Sequence, residues 1–430
     1  MDETLIFQHA LLPDGWARDV RLTLSGGLIS KIETGIANGR DIALPGMPNL
    51  HSHAFQRAMA GHAEKRGAAQ DSFWTWRELM YKLALSMQPE DVETAATLTF
   101  IEMLEGGFTS VAEFHYLHHA PDGTSYADIG EMAARLVSAA QTAGIELLLL
   151  PVFYAHAGFG GTRLHNEQRR FGNTLESYAK LYERCAQLAP SGIAPHSLRA
   201  ATIEELSHLS ALAGTRPFHI HIAEQAAEVE ACLAFSGERP VEYLLRRAPV
   251  GRNWCLVHAT HVTPQELAGI TASGAVAGLC PITEANLGDG IFPAYDFTGT
   301  FGIGSDSNVL IDAAQELRML EYSQRLATRQ RNVMATIAIQ ATATALYMRA
   351  VAGGAQALGI GGGLTPGAPA SFVTMAGDDP DIALAQSVFS SRASMVRDVW
   401  VRGHRVVRDG RHELARTARA RFDAMLSKLV

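Results

Sequence analysis

Histidine and acidic residues recur at spacings that suit metal binding in this 430-residue chain. His51 and His53 form an HxH pair, His221 ends a second HxH pair, and Asp306 follows a later apolar segment. Because side chains alternate between the two faces of a strand, both imidazoles of an HxH pair point the same way. Three imidazole nitrogens and one carboxylate oxygen form a donor set that suits Zn²⁺ or Fe²⁺ and leaves space for water. The pattern predicts a metal site formed by His51, His53, His221 and Asp306.

A possible proton-transfer group follows the third of these residues. Glu224 comes three positions after His221. A metal ion lowers the pKa of its bound water from about 15.7 to about 7, and a neighbouring glutamate can take the proton and pass it to a leaving group. The same position also suits an acid that the dipole of a starting helix stabilises. Of these two readings, we expect proton transfer for Glu224.

These residues can meet only if the chain brings distant strand ends together. The middle of the chain alternates helix-like and strand-like segments, with candidate strands at 47–50, 109–114, 145–150, 193–196, 217–222, 254–258, 275–279 and 301–304. Eight strands separated by helix-length segments predict an α/β fold, a (β/α)₈ barrel of the TIM type. The carboxyl ends of its strands share one face, where active sites lie. His196 and His258 also fall at predicted strand ends.

Both ends of the chain have a different character from the middle. Residues 1–45 and the last 60 residues contain short strand-like runs separated by glycine-containing turn signals. We therefore predict a small β-sandwich domain built from both termini, residues 1–45 plus 365–430, with a C-terminal helix over 413–429. The catalytic barrel would occupy residues 46–364.

Composition excludes several classes of protein. Lys and Arg number 36 against 44 Asp and Glu, a net charge of -8 that gives no long-range attraction to nucleic acid or anionic membranes. The longest apolar run, 145–155, contains Glu146 and Pro151 and is too short to span a bilayer. The four cysteines form no CxxC motif, and the N-terminus lacks the basic start of a secretory signal. We expect a soluble, cytoplasmic protein whose partner is a small molecule.

The segment Pro45-Gly-Met-Pro-Asn-Leu-His-Ser-His53 resembles the opening signature of the amidohydrolase superfamily, and the likeness extends over the whole chain. One departure is Ala368-Pro-Ala-Ser-Phe372, where an Ala-Asp-Leu-type strand is usual; it involves no predicted catalytic residue. Members with two metal ions carry a carbamylated lysine on the fourth strand. No lysine lies between Ser191 and Leu198, so the resemblance implies one Zn²⁺ per chain, with Fe²⁺ as the alternative.

The combination of HxH, HxxE, a sixth-strand histidine and an eighth-strand aspartate resembles the deaminase branch, whose members add water to C=N bonds and expel ammonia. Segments 49–61, 113–119, 195–199 and 219–225 are similar to those members that convert N-formimino-L-glutamate to N-formyl-L-glutamate and ammonia in histidine degradation. The resemblance also implies a homodimer. It implies metal binding by His51, His53, His221 and Asp306, catalysis by Glu224, His258 and Asp306, and substrate binding by Gln56, Arg77, Tyr116, His196 and Arg199.

A dicarboxylate substrate is consistent with the two arginines in this set. Arginine binds carboxylates through two parallel hydrogen bonds, and such charge-assisted bonds contribute about 1.5–3 kcal/mol. Arg77 lies in the long segment 54–89, which has the length of a substrate-binding lid. Three simpler interpretations remain: Arg77 could pair with Glu78 or Asp71 on an exposed helix, Arg199 could lie on the surface, and Tyr116 could belong to the core.

Two other functions remain compatible with the sequence. A related deaminase acting on guanine or another aminated heterocycle would use the same metal chemistry, but would need aromatic stacking and amide contacts instead of two arginines. A barrel that has lost catalysis and serves as a binding scaffold is the third possibility. Such proteins usually lack metal ligands, whereas every ligand type is present in this chain.

Overall fold

The structure is a computed structural model that describes residues 3–36, 39–65 and 73–429. It confirms a barrel of parallel strands and helices, accompanied by a small β-domain to which both termini contribute. Asp71, one of the alternative partners considered for Arg77, lies outside the described residues.

The strands fall into three groups along the chain. The described strands are β1 (Glu3–Leu12), β2 (Gly15–Ser25), β3 (Leu28–Glu33), β4 (Asp41–Pro45), β5 (Met47–Ser52), β6 (Phe108–His115), β7 (Glu146–Phe153), β8 (Ala194–Pro195), β9 (Phe218–Ile222), β10 (Trp254–His258), β11 (Val276–Leu279), β12 (Thr300–Ile303), β13 (Phe372–Ala376), β14 (Asp398–Val401), β15 (His404–Arg408) and β16 (Arg411–His412). Strands β5 to β12 are the predicted barrel strands; β4 and β16 were not predicted.

Helices connect these strands and cover the outside of the barrel. The described helices are α1 (Phe73–Ser86), α2 (Pro89–Glu105), α3 (Glu131–Ala143), α4 (Leu175–Leu188), α5 (Ile203–Ala213), α6 (Ala226–Ser236), α7 (Pro240–Arg247), α8 (Pro264–Ser273), α9 (Pro281–Leu287), α10 (Ala313–Thr328), α11 (Thr342–Leu358), α12 (Pro380–Phe389) and α13 (Ala415–Leu429). A 3₁₀ helix, Ala54–Met59, follows β5 directly. Among the described helices, none is both long enough and apolar enough to cross a membrane.

The eight parallel strands close into a ring. Strands β5 to β8 form one four-stranded parallel sheet and β9 to β12 form another. Isolated parallel bridges join the two sheets on both sides, between Ser52 and Asp306 and between Ile193 and Phe218. Strand β8 is shorter than predicted, in keeping with Pro195, which has no N–H to donate to a ladder. All carboxyl ends therefore face the same side of the barrel.

The β-domain is one eight-stranded sheet, in the order β16-β15-β14-β13-β4-β1-β2-β3. Strand β4 joins the two ends of the chain, because it pairs with β1 on one side and β13 on the other. A separate apolar core fills this domain and includes Phe7, Leu22, Phe372 and Trp400. Only Gly46 separates β4 from the first barrel strand. The domain boundaries at 45/46 and 364/365 stay a prediction.

Candidate active site

Four side chains from three barrel strands converge at the carboxyl-terminal face. His51 lies in β5, His53 just after it, His221 in β9, and Asp306 beyond β12. The Nε2 atom of His51 lies 3.2 Å from that of His53 and 2.9 Å from that of His221. Asp306 Oδ1 lies 3.4 Å from His51 Nε2 and 3.3 Å from His53 Nε2. All four donor atoms lie within 4.8 Å of one another, and all four residues are buried.

The hydrogen bonds of two imidazoles identify the nitrogens that are free to bind a cation. The Nδ1 atom of His53 donates to the Phe114 carbonyl over 2.8 Å, and that of His221 donates to the His196 carbonyl over 2.9 Å. Because carbonyl oxygens can only accept, each Nδ1 carries the proton and each Nε2 presents its lone pair to the cluster. Burial also lowers the pKa of His51, to about 3, and holds that of His221 well below its ordinary value. The donor set therefore fits a divalent metal ion held by three neutral nitrogens and one carboxylate.

Asp306 reaches this cluster from outside its strand. It lies three residues beyond the end of β12, whereas the sequence pattern placed it at the strand end. Gly304 allows this approach, because a Cβ atom there would lie only 2.7 Å from the carbonyl oxygen of His51. Asp306 donates its N–H to that carbonyl over 3.0 Å and accepts the N–H of His53 over 2.9 Å. Its φ of 45° is in the left-handed region, a conformation that neighbouring contacts must maintain.

Glu224 and His258 face each other beside the cluster. Glu224 Oε1 lies 3.9 Å from His258 Nε2, which lies 3.8 Å from Asp306 Oδ2. Burial raises the pKa of Glu224 to about 7. Burial alone would lower the pKa of His258, but the carboxylates of Glu224, Glu284 and Asp306 raise it to about 10. His258 Nδ1 lies 3.3 Å from Glu284 Oε1, which holds the ring with Nε2 toward Glu224. The pair can therefore exchange a proton with a molecule bound between them.

Arg199 is buried next to two acids. Its Nη2 atom lies 4.0 Å from Glu224 Oε2 and 4.0 Å from Glu228 Oε2. Its Nε atom is buried and has no hydrogen-bond partner among the described residues. The surface position considered as an alternative for Arg199 is therefore wrong, because its side chain is only 14% exposed.

These residues line one cavity, whose empty space is about 590 Å³ including the part open to solvent. Every predicted catalytic and substrate-binding residue lines it, and His51 lies just beneath, in contact with His53 and His221. Arg77 enters from α1, and its guanidinium carbon lies 5.5 Å from the centre of the Tyr81 ring. The lining residues are His53, Gln56, Trp76, Arg77, Met80, Tyr81, Tyr116, Tyr154, Phe171, His196, Arg199, His221, Glu224, His258, Leu287 and Asp306.

Gln56 and Tyr116 form a polar pair on the cavity wall. The amide nitrogen of Gln56 donates to the Tyr116 hydroxyl over 2.8 Å, which leaves the buried Gln56 Oε1 without a hydrogen-bond partner among the described residues. The ring centre of His196 lies 4.6 Å from that of Tyr154, with the two ring planes tilted by 59°, and burial holds the pKa of His196 well below the ordinary value. Gln56 Oε1 and the neutral His196 thus provide hydrogen-bonding groups in an otherwise aromatic wall.

Several residues of the site were not identified from the sequence. Tyr154 follows the end of β7 directly, and its position at a strand end was the available signal. Glu228 continues the HxxE pattern by one further helical turn, and Glu284 follows β11 on α9. Phe171 and Leu287 carried no signal, because they lie in connections whose path depends on the complete barrel.

Comparisons with known proteins agree with this geometry. Residues 42–406 match the model of the amidohydrolase family, and residues 4–41 match the model described as the N-terminal domain of formimidoylglutamate deiminase HutF. The curated formimidoylglutamate deiminase of Pseudomonas aeruginosa is 50% identical over 98% of both chains. A 5-methylthioadenosine/S-adenosylhomocysteine deaminase of Natronomonas pharaonis is 27% identical over 85% of this chain and 80% of its own.

Solved structures show the same architecture. The crystal structure of an amidohydrolase from Brucella melitensis superposes with a TM-score of 0.96 at 50% identity and covers 99% of both chains. A zinc-bound adenosine deaminase from Xanthomonas campestris superposes with a TM-score of 0.78 at 21% identity, over 99% of this chain and 98% of its own, and supports the fold alone. From the match over residues 42–406 and the identity over nearly the whole length, the chain belongs to the amidohydrolase family.

Proposed function

We propose that this chain is a formimidoylglutamate deiminase, which hydrolyses N-formimino-L-glutamate to N-formyl-L-glutamate and ammonia in histidine degradation. One observation carries the proposal: a divalent-metal donor set, the Glu224–His258 pair and two arginines border a single cavity. The 50% identity to the Pseudomonas enzyme and the match of the N-terminal segment support the same activity.

We assign metal binding to His51, His53, His221 and Asp306. Zinc is the ion we propose, one per chain, because three imidazoles and one carboxylate suit it; Fe²⁺ would accept the same donors. When bound there, such an ion acts as a Lewis acid that makes water nucleophilic at neutral pH.

We assign the proton transfers to Glu224. Water adds through its oxygen to the formimino carbon, and Glu224 takes one proton from it and delivers that proton to the terminal nitrogen. A second proton follows the same path, the carbon–nitrogen bond breaks, and the nitrogen leaves as ammonia while the carbon keeps the oxygen. His258, charged because of its raised pKa, stabilises negative charge on the attacking oxygen, and Asp306 supports it at 3.8 Å.

Substrate binding would use the other polar residues that line the cavity. Arg77 and Arg199 supply two guanidinium groups for the two carboxylates, and Gln56, Tyr116 and His196 orient the chain between them. In a protein with a net charge of -8, these local cations are needed to hold a dianion.

Ammonia release from N-formimino-L-glutamate tests the proposal. We expect the purified, zinc-loaded protein to release ammonia, to lose activity on chelation and to regain it with zinc. A substrate panel with guanine, other aminated heterocycles and neutral formamidine distinguishes the proposed activity from that of a deaminase acting on a ring. Release from a heterocycle but not from formiminoglutamate would replace the proposed substrate, and no release from any substrate by metal-loaded protein would favour a binding scaffold.

We further infer a cytoplasmic homodimer. All four cysteines are free thiols in the structure, which suits a reducing compartment. The dimer rests on the family resemblance alone, and light scattering of the purified protein tests it.

A further inference from the structure

Glu228 is a fully buried acid that the proposed mechanism does not use. It lies in the first turn of α6, and its side chain has no exposed surface. Burying a carboxylate completely is unfavourable unless hydrogen bonds and a neighbouring cation compensate for the lost water. The partners of Glu228 therefore indicate what it does.

Both carboxylate oxygens hold the turn that carries Glu224. Oε1 accepts the backbone N–H of Ala223 over 3.3 Å, and Oε2 accepts that of Glu224 over 3.2 Å. Ala223 has a φ of 50°, in the left-handed region that residues with a Cβ atom rarely adopt. An acid at this position that merely capped α6 would accept the N–H of Gln225, the residue directly before the helix. Glu228 instead accepts the N–H groups of Glu224 and Ala223, which lie further back along the chain.

The same carboxylate also balances the charge of Arg199. Arg199 Nη2 lies 4.0 Å from one oxygen of Glu228 and 4.0 Å from one oxygen of Glu224. With Glu228 present, the guanidinium is shared between two anions. Without Glu228, Glu224 would remain as the acid beside Arg199, and the side chains of Glu224 and Arg199 would be drawn together.

We propose that Glu228 is a positioning residue, which fixes the strained turn that directs Glu224 into the cavity and keeps Arg199 from closing onto Glu224. This inference rests on the proposed function, in which Glu224 transfers protons and Arg199 binds a substrate carboxylate.

Three variants separate the two parts of this role. Glu228→Gln removes the charge and can offer only one acceptor to the two N–H groups. Glu228→Asp keeps the charge but is shorter by one methylene, so it withdraws from the turn. Glu230→Gln is the control, because Glu230 is an exposed acid on the same helix.

We expect Glu228→Gln to keep its metal content and to lose at least tenfold in kcat. The fall of kcat/KM on the acidic side of its pH profile, the acid limb, should also move to lower pH. The negative charge of Glu228, which raises the pKa of Glu224, is gone in this variant, and the approaching Arg199 lowers that pKa further. The other groups facing Glu224 are His258, Asp306 and Asp289, and they are unchanged. Glu228→Asp should lose kcat with the acid limb unmoved. Glu230→Gln should match the wild type in both.

A folded, metal-loaded Glu228→Gln variant with wild-type kcat and an unmoved acid limb would overturn the inference. Inactivity of the wild type on formiminoglutamate would instead contradict the proposed function. In that case a crystal structure of the Glu228→Gln variant still tests the positioning role of Glu228, because a structure requires no turnover. We expect the Glu224 side chain to leave the cavity and approach Arg199; an unchanged Glu224 would refute the positioning role.

Discussion

The side-chain amide of Asn308 donates a hydrogen bond to the carbonyl oxygen of His53 over 3.0 Å, although 255 residues separate them. The same amide donates to the carbonyl of Asp306 over 3.0 Å and to the Ser52 hydroxyl over 3.2 Å. Its carbonyl oxygen accepts from the Ser305 hydroxyl over 2.6 Å. One buried amide therefore joins the first and eighth barrel strands where two proposed metal ligands lie.

Replacing Asn308 by alanine should weaken metal binding. Groups that orient metal ligands typically contribute 10- to 100-fold in affinity. We expect a loss of that size for Asn308→Ala in competition with a chelator. Asn253→Ala is the matched control, because Asn253 also donates its amide to two carbonyls, those of Gly214 and Arg216, at the other end of the barrel strands. Equal affinities of both variants would show that Asn308 does not organise the site.

Replacing Glu224 by glutamine should remove proton transfer and leave the metal in place. We expect kcat to fall by about 10²-fold or more. Burial raises the pKa of Glu224 to about 7, and the group must be ionised to accept a proton from water. Wild-type kcat/KM should therefore decline below about pH 7, and the residual activity of the variant should lack this limb. Wild-type turnover by a zinc-loaded variant would exclude Glu224 from the chemistry.

Replacing Arg199 by methionine should discriminate between substrates. Methionine keeps an apolar chain of similar reach but removes the guanidinium, so KM should rise much more for a dicarboxylate than for neutral formamidine. Steady-state kinetics with both amidines measures this difference. The exposed Arg216 provides the control, as Arg216→Met should change neither KM. The same rise in KM for both substrates would show that Arg199 does not bind a substrate carboxylate.

Glu113 should make the stability of the protein depend on pH. Burial raises its pKa to about 8 from an ordinary value of 4.5, and its Oε1 accepts the N–H of Ala54 over 2.6 Å. The folded state holds the proton of Glu113 more tightly than the unfolded state. The stabilising contribution of Glu113 to the free energy of unfolding is therefore complete below about pH 4.5 and is lost as pH rises through about 8.

Glu113→Gln should therefore gain stability relative to the wild type as pH increases. Thermal unfolding of both proteins between pH 5 and pH 9 measures the difference, which should favour the variant most at the alkaline end. Glu90, an exposed acid on α2, gives the control through Glu90→Gln. A constant difference in Tm between Glu113→Gln and wild type would contradict the raised pKa of Glu113.

The barrel could be predicted because its strands are buried on both faces and its helices are amphipathic, so local periodicity carries the signal. Strand β10 was predicted with its observed bounds. Strand β4 was missed, because a strand of only five residues carries little local signal. Its pairing with β13, more than 300 residues later, defines it. Helix α13 begins two residues later than predicted, after the turn that follows β16.

The sequence by itself determined which residue types lie at the strand ends, and with them the candidate metal donors and the acid proposed for proton transfer. The tertiary structure decided which of these groups meet. His219 and His221 share a face of β9, yet His219 bonds to the carbonyl of Ala357 over 2.8 Å deeper in the barrel, and only His221 joins the donor set. The roles proposed for Asn308 and Glu228 could not be predicted from the sequence, because the backbone groups that they contact are placed by ring closure and by a left-handed turn. Side-chain periodicity fixes the face of a strand, whereas depth along the barrel and contacts between distant loops depend on the closed ring.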